Sequence, residues 1–233
     1  MDELFYNLFS QAPGTDSGTQ VSLFVLGSLL SCIAMLLLAR RNDLGWWAQI
    51  LAIFAGPAVV AFQFEASMLI FAVPALLAAA FGLWRFSKFE ISGRFHRKVV
   101  RREFSTKSLL VGVALLALFS ALRMGPMLTT GFIFTNGNNG LIISLVAEAG
   151  LVVALIGVAC GYRWAWLAAS ISSIAYIAVL FGSNPAFALL GVTVFQLLTS
   201  LYGWFFWRDL PTAASISADA DADSQYPPSP YAA

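Results

Sequence analysis

The sequence predicts an all-α integral membrane protein: seven transmembrane helices arranged as a 3+1+3 parallel repeat of three-helix bundles. Three observations carry this reading. The composition is too apolar for a water-soluble surface, apolar runs of bilayer length recur along the chain, and the basic residues fall almost wholly on one side. Hydrophobic residues make up 59% of the 233 and charged residues 11%, with a mean hydropathy of +0.80. Soluble domains carry about a quarter charged residues, so lipid must cover what polar side chains do not. A net charge of +1 makes no case for a nucleic-acid partner.

A bilayer core about 30 Å thick takes roughly 20 apolar residues as helix. The first such run is Val21–Ala39, closed by Arg40, Arg41, Asn42 and Asp43. The second extends from Leu44 to Phe62, and Gln63, Phe64 and Glu65 mark its end. The third is Ala66–Trp84, where charge resumes at Arg85. Ser108–Met124, Leu141–Cys160, Trp164–Phe181 and Ala186–Trp207 complete the set. Pro57 and Pro74 fall inside spans two and three. Membrane helices tolerate proline when neighbours satisfy the freed carbonyls, so kinks are expected there. The acidic start MDELFYNLFSQ lacks the basic leader of a cleaved signal peptide, so the first run is expected to be retained.

Sidedness follows from lysine and arginine. If the spans alternate, one face holds Arg40, Arg41, Arg85, Lys88, Arg94, Arg97, Lys98, Arg101, Arg102, Lys107, Arg163 and Arg208, and the other only Arg123. That bias puts the N-terminus outside and the C-terminus in the cytoplasm of a plasma-membrane protein. The chain then divides into an extracytoplasmic segment (1–20), a first three-helix repeat (21–86), a basic cytoplasmic loop (87–107) and a linker helix (108–124). An external loop (125–140), a second three-helix repeat (141–208) and a disordered cytoplasmic tail (209–233) follow. The tail is small, polar and proline-bearing. The basic residues of 85–107 serve as topology determinants, with anionic headgroups as a second use.

Two landmarks recur in order. Span three ends Phe81-Gly82-Leu83-Trp84 and span seven Tyr202-Gly203-Trp204-Phe205-Phe206-Trp207. Span two opens Gly45-Trp46-Trp47-Ala48 and span six Trp164-Ala165-Trp166-Leu167, each after a short arginine-bearing turn. A three-helix unit that starts outside ends inside, so a fourth helix must return the chain before a second like unit begins. Parallel repeats of this kind occur in transporters, with a substrate site near the midplane between them.

At these residues the chain resembles the PnuC family of vitamin transporters, relatives in fold of the SWEET sugar transporters. The likeness runs over about residues 20–208. It is carried by the Tyr202–Trp207 ending, its echo at Phe81–Trp84, and the stretch from Leu26 to Trp47. Leu83 stands where the family often has a tryptophan. The resemblance implies import of nicotinamide riboside, riboflavin or thiamine by facilitated diffusion, with a cytoplasmic kinase as functional partner that traps the substrate. Nicotinamide riboside is the leading expectation. Homo-oligomerisation is a further possibility, and the bilayer is the surrounding partner.

Polar groups inside a span are costly unless they face a cavity or a partner. Glu148 is the one carboxylate deep in a span, and an acidic residue there costs roughly 2–3 kcal/mol on insertion scales. Ser144 lies one turn away on its face. Glu148 would accept from substrate hydroxyls or balance a cationic ring; the alternative is a protonated carboxyl bonded to a neighbouring helix. Span seven carries Gln196, Thr199, Ser200, Gly203 and Trp207 on one stripe, with Trp204 and Tyr202 beside it. Amides and hydroxyls suit a ribose, and indoles a flat cationic ring; close helix packing and interface anchoring are the competing roles. Trp166, Ser170 and Ser173 share a face of span six, with Tyr176 near, and span two offers Trp47 and Gln49. Asn136, Asn138 and Asn139 form either an outer gate or a plain turn.

Other classes are excluded by what the spans lack. Their lack of lysine rules out a retinal Schiff base, and their lack of His and Asp speaks against a membrane enzyme. Cys32, Cys160 and His96 are too few for a zinc or iron site, so no cofactor is expected. A non-transporting scaffold subunit remains the rival reading.

Overall fold

The computed structural model describes residues 17–63, 72–87, 102, 104–129, 139–182 and 187–210. Seven α-helices account for nearly all of them. They are α1 (Gly18–Ala39), α2 (Leu44–Gln63), α3 (Val73–Ser87), α4 (Thr106–Thr129), α5 (Asn139–Ala159), α6 (Trp164–Gly182) and α7 (Phe187–Phe206), with α7 followed by a 3₁₀ turn, Trp207–Asp209. Each expected span overlaps one helix, although residues 66–71 of the third lie outside the described residues. Large apolar side chains, among them Leu29, Leu77, Leu110, Ile171 and Leu198, lie exposed on the outer surface, which water disfavours and lipid accepts. Within the described residues, Gly18–Ala39 and Leu190–Asp209 are long and apolar enough to cross a membrane by themselves, and five shorter apolar stretches of 10–17 residues mark the other helices.

The boundaries depart from expectation where local chemistry intervenes. Helix α1 starts three residues before Val21 because Ser17 builds a capping box. Its hydroxyl accepts from the Gln20 amide at 3.3 Å, and the Gln20 side chain accepts from the Ser17 amide at 2.5 Å. Helix α2 continues through Pro57 as expected. Pro74 does not interrupt a helix. It sits in the first turn of α3, where the missing N–H would have had no intrahelical partner anyway.

Helices α1 and α5 end in the same device. The Asn42 amide donates back to Leu37 and that of Arg41 to Leu38; the Tyr162 amide donates to Gly157 and that of Gly161 to Val158. This is the Schellman pattern, which needs a left-handed residue just past the helix. Arg41 (φ 60°) and Gly161 (φ 84°) fill that position. The next helix then opens identically, with Gly45 and Trp46 bonding back to Asn42 and Asp43, and Ala165 and Trp166 to Tyr162 and Arg163.

The two turns aim two indoles. A Cβ on Gly82 would lie 2.5 Å from the Trp46 ring, and one on Gly203 would lie 2.5 Å from the Trp166 ring. Glycine is required at both places because the indole lies directly against the helix backbone. Trp46 and Trp166 are completely buried and belong to a single core with Leu38, Ala39, Ala79, Val158, Ala159 and Trp207. Burying such a ring is worth about 3–5 kcal/mol, judged from Trp→Ala losses in cores.

The helices pair in a fixed pattern. Helix α1 packs on α2 and α2 on α3; α5 packs on α6 and α6 on α7. Across the middle, α1 meets α7 and α3 meets α5, and α4 lies on α5.

Candidate functional site

Polar side chains in the apolar interior come from α1, α2, α6 and α7. Those of Gln49, Ser170, Ser172, Ser173, Thr193, Thr199 and Ser200 are all buried. Most hydroxyls there are already satisfied by their own helix. Ser170 donates to the Trp166 carbonyl at 2.9 Å, Ser173 to Ala169 at 3.0 Å, Thr199 to Phe195 at 2.8 Å and Ser200 to Gln196 at 2.7 Å. Such back-bonding uses the proton and leaves oxygen lone pairs for an outside donor. Ser172 instead donates across to the Ala147 carbonyl, tying α6 to α5.

Gln196 reaches out of α7. Its amide nitrogen donates to the Ser31 hydroxyl of α1 at 2.6 Å, a polar bond between the first and last helices. Gln49, on α2, is 5% exposed, and its carbonyl oxygen is buried with no hydrogen-bond donor among the described residues. An unmatched buried acceptor costs about 1–3 kcal/mol, which a ligand N–H or O–H would recover.

The aromatic candidates divide. Trp207 is fully buried; its indole N–H donates to the Ala39 carbonyl at 2.8 Å, and its ring meets Trp166 edge-on at 5.6 Å. Together these contacts lock the end of α7 to the end of α1 and leave no open ring face. Trp204 is half-buried beneath the Arg163 guanidinium, 3.7 Å from the ring centroid, and its carbonyl accepts from Arg163 at 2.9 Å. Its cation partner is therefore supplied by the protein itself. Tyr202 stacks on Phe206 at the exposed surface. Trp47 is 54% exposed on the outer side of α2, away from the buried polar groups. Tyr176 is half-buried on α6. The side chains of Ser144 and Glu148 lie outside the described residues, although their backbone belongs to α5, and Asn136 and Asn138 lie outside them too.

Of the candidates, Gln49, Ser170, Ser173 and Thr199 are buried and Gln196 is half-buried, whereas Trp47 and Tyr202 are exposed, Trp204 is half-buried against Arg163 and Trp207 is packed into the core. Ser31 carried no signal in the sequence, being one serine in an apolar run. Only the tertiary pairing with Gln196 singles it out. Amide and hydroxyl groups of this kind can each hydrogen-bond a neutral, hydroxyl-rich ligand. Among the described residues no group of three or more His, Cys, Asp or Glu comes together.

Two cavities lie elsewhere, between α4, α5 and α6. The larger, of about 530 Å³, is walled by residues such as Leu109, Val113, Leu116 and Ile171; the smaller, of about 350 Å³, includes Ser105, Lys107 and Ser108.

No protein-family model and no curated protein matches the sequence. Among solved structures, the crystal structure of the vitamin B3 transporter PnuC is similar, with a TM-score of 0.61 and 14% identity over 84% of this chain and 82% of that one. The chain therefore shares the all-helical fold of that structure.

Proposed function

We propose that the protein is a membrane transporter that admits a water-soluble vitamin or nucleoside-like precursor by facilitated diffusion, with nicotinamide riboside as the favoured substrate. The observation that carries the reading is the buried, donor-less carbonyl of Gln49 inside a PnuC-like fold. A substrate hydroxyl or carboxamide N–H is the natural partner for such an oxygen. Gln196, Ser31, Ser170, Ser173 and Thr199 add further polar contacts, and Ser144 and Glu148 of α5 are proposed to line the same path.

In this reading the helices form two units, α1–α3 and α5–α7, joined by α4 and related by an axis along the membrane normal. The matched turns, the matched Trp–Gly contacts and the reciprocal α1–α7 and α3–α5 pairings support that arrangement. Access alternates as one unit rocks against the other. The basic end faces the cytoplasm, with the N-terminus outside, on the strength of the lysine and arginine bias. A cytoplasmic kinase would draw the substrate inward by modifying it.

The test is uptake of radiolabelled nicotinamide riboside, riboflavin and thiamine into liposomes holding only this protein, without ATP or an ion gradient. Nicotinamide riboside is expected to equilibrate. Gln49→Leu is expected to raise the half-saturation concentration about tenfold, the value of one lost hydrogen bond to a buried group. Equilibration of none of the three, or uptake only with an added ATPase, overturns the proposal.

A further inference from the structure

The cleft between α4, α5 and α6 is built for a different molecule. Its apolar part is bounded by Leu109, Val113 and Leu116 of α4, Val153 of α5, and Leu167 and Ile171 of α6. The smaller recess shares Arg102, Gly112, Val153, Tyr162 and Trp164 with it, so the two adjoin. Polarity differs between the two. The recess end, where α4 begins and α5 finishes, holds Arg102, Ser105, Lys107 and Ser108, and among the described residues neither lining contains Asp or Glu.

The basic mouth is anchored. The Arg102 amide donates to the Gly161 carbonyl at 2.9 Å, and its guanidinium lies 5.8 Å from the Tyr162 ring centroid. The Trp164 indole donates to the Ser108 hydroxyl at 3.2 Å and rests on Gly112, where a Cβ would come within 2.7 Å of the ring. Among the described residues Arg102 and Lys107 have no ion-pair partner, and both are exposed. Two positive charges beside the Ser105 hydroxyl, above an apolar trough that opens sideways off the bundle, complement an anionic headgroup with its acyl chains.

We infer that this cleft is a binding site for one anionic phospholipid. The headgroup phosphate sits between Arg102 and Lys107, with the Ser105 hydroxyl in reach, and an acyl chain lies along Leu109, Val113, Leu116 and Ile171. The site is separate from Gln49 and Gln196, so it stands or falls independently of substrate binding. By occupying the space between α4 and α6, the lipid would brace the linker helix against the second helical unit.

Native mass spectrometry of the full-length protein, released from detergent and titrated with phosphatidylglycerol, phosphatidylcholine or soluble glycerol phosphate, tests this. One phosphatidylglycerol per chain is expected, retained about tenfold better than phosphatidylcholine. The pair Arg102→Gln and Lys107→Gln is expected to erase that preference while leaving helical content unchanged by circular dichroism. Leu116→Trp, which fills the trough with both charges intact, is expected to lose bound lipid of either headgroup. Equal retention of the two lipids in the unaltered protein overturns the inference. So does equal binding of glycerol phosphate, which would assign the charges to a free anion, and so does a dimer that forms only when lipid is excluded, which would assign the cleft to a second copy of the chain.

Discussion

The α1–α2 and α5–α6 turns share a backbone and differ in almost everything around it. Both close with the same pair of Schellman hydrogen bonds and open the next helix with the same two, and both deliver a buried tryptophan onto a glycine. Yet the first puts an arginine in the left-handed position where the second has glycine. The first also caps its next helix with the Asn42 side chain, which accepts from the Leu44 amide at 3.0 Å. The second puts Tyr162 and Arg163 at the corresponding places, and these engage Arg102 and Trp204. Leu44 is exposed, whereas Trp164, its counterpart, is clasped by Ser108 and Gly112 of α4. What is shared is what aims the core indole. What differs is whether α4 is held against the turn.

The comparison can be broken at its strongest point first. Gly82→Leu and Gly203→Leu should each cost about 3 kcal/mol or more, since overpacking a closed contact is among the larger single-residue penalties. Denaturation midpoints in detergent measure both. Tolerance of one substitution would end the equivalence of the two contacts. Combining Gly203→Leu with Trp166→Ala should cost less than the sum of the two changes, because both act on one contact.

The left-handed position sharpens it at intermediate size. Gly161→Val should destabilise by about 1–2 kcal/mol, the cost of a side chain in that backbone region. Arg41→Gly should lie within about 1 kcal/mol of neutral, on the stabilising side. Thermal unfolding of the two variants side by side checks the opposite signs, and equal losses would show that side-chain contacts rather than backbone strain set the turn.

The smallest effects concern the surroundings. Trp164→Phe removes the bond to Ser108 and should cost about 1 kcal/mol. Leu44→Ala, on an exposed face, should stay within about 0.5 kcal/mol. A Leu44→Ala loss as large as that of Trp164→Phe would mean that something outside the described residues covers the first turn as α4 covers the second.

Much of the fold was legible because lipid imposes a crude rule. Each helix must be apolar over bilayer length, and charges must wait for the ends. The tryptophan pairs were visible as landmarks, but their division of labour was not. Spacing alone made Trp46 and Trp47 match Trp164 and Trp166, whereas the hydrogen-bonded turns equate Trp46 with Trp166 and leave Trp47 facing outward. The candidate site was legible in residue type and only partly in place. A stripe of Gln, Thr and Trp on α7 reads the same whether it meets a ligand or another helix. Trp207 and Trp204 are engaged by Ala39 and Arg163, while the buried Gln49 oxygen has no donor among the described residues.

By itself the sequence determined that the chain is helical, where its apolar runs lie, and which end of the bundle is basic. Those follow from local composition, which senses only whether a segment faces lipid, protein or water. Tertiary structure alone decided which indole lies on which glycine, that α1 joins α7 through Ser31 and Gln196, and that a charged mouth caps an apolar cleft beside α4. Those depend on distances between residues far apart in the chain, which side-chain chemistry permits but does not specify.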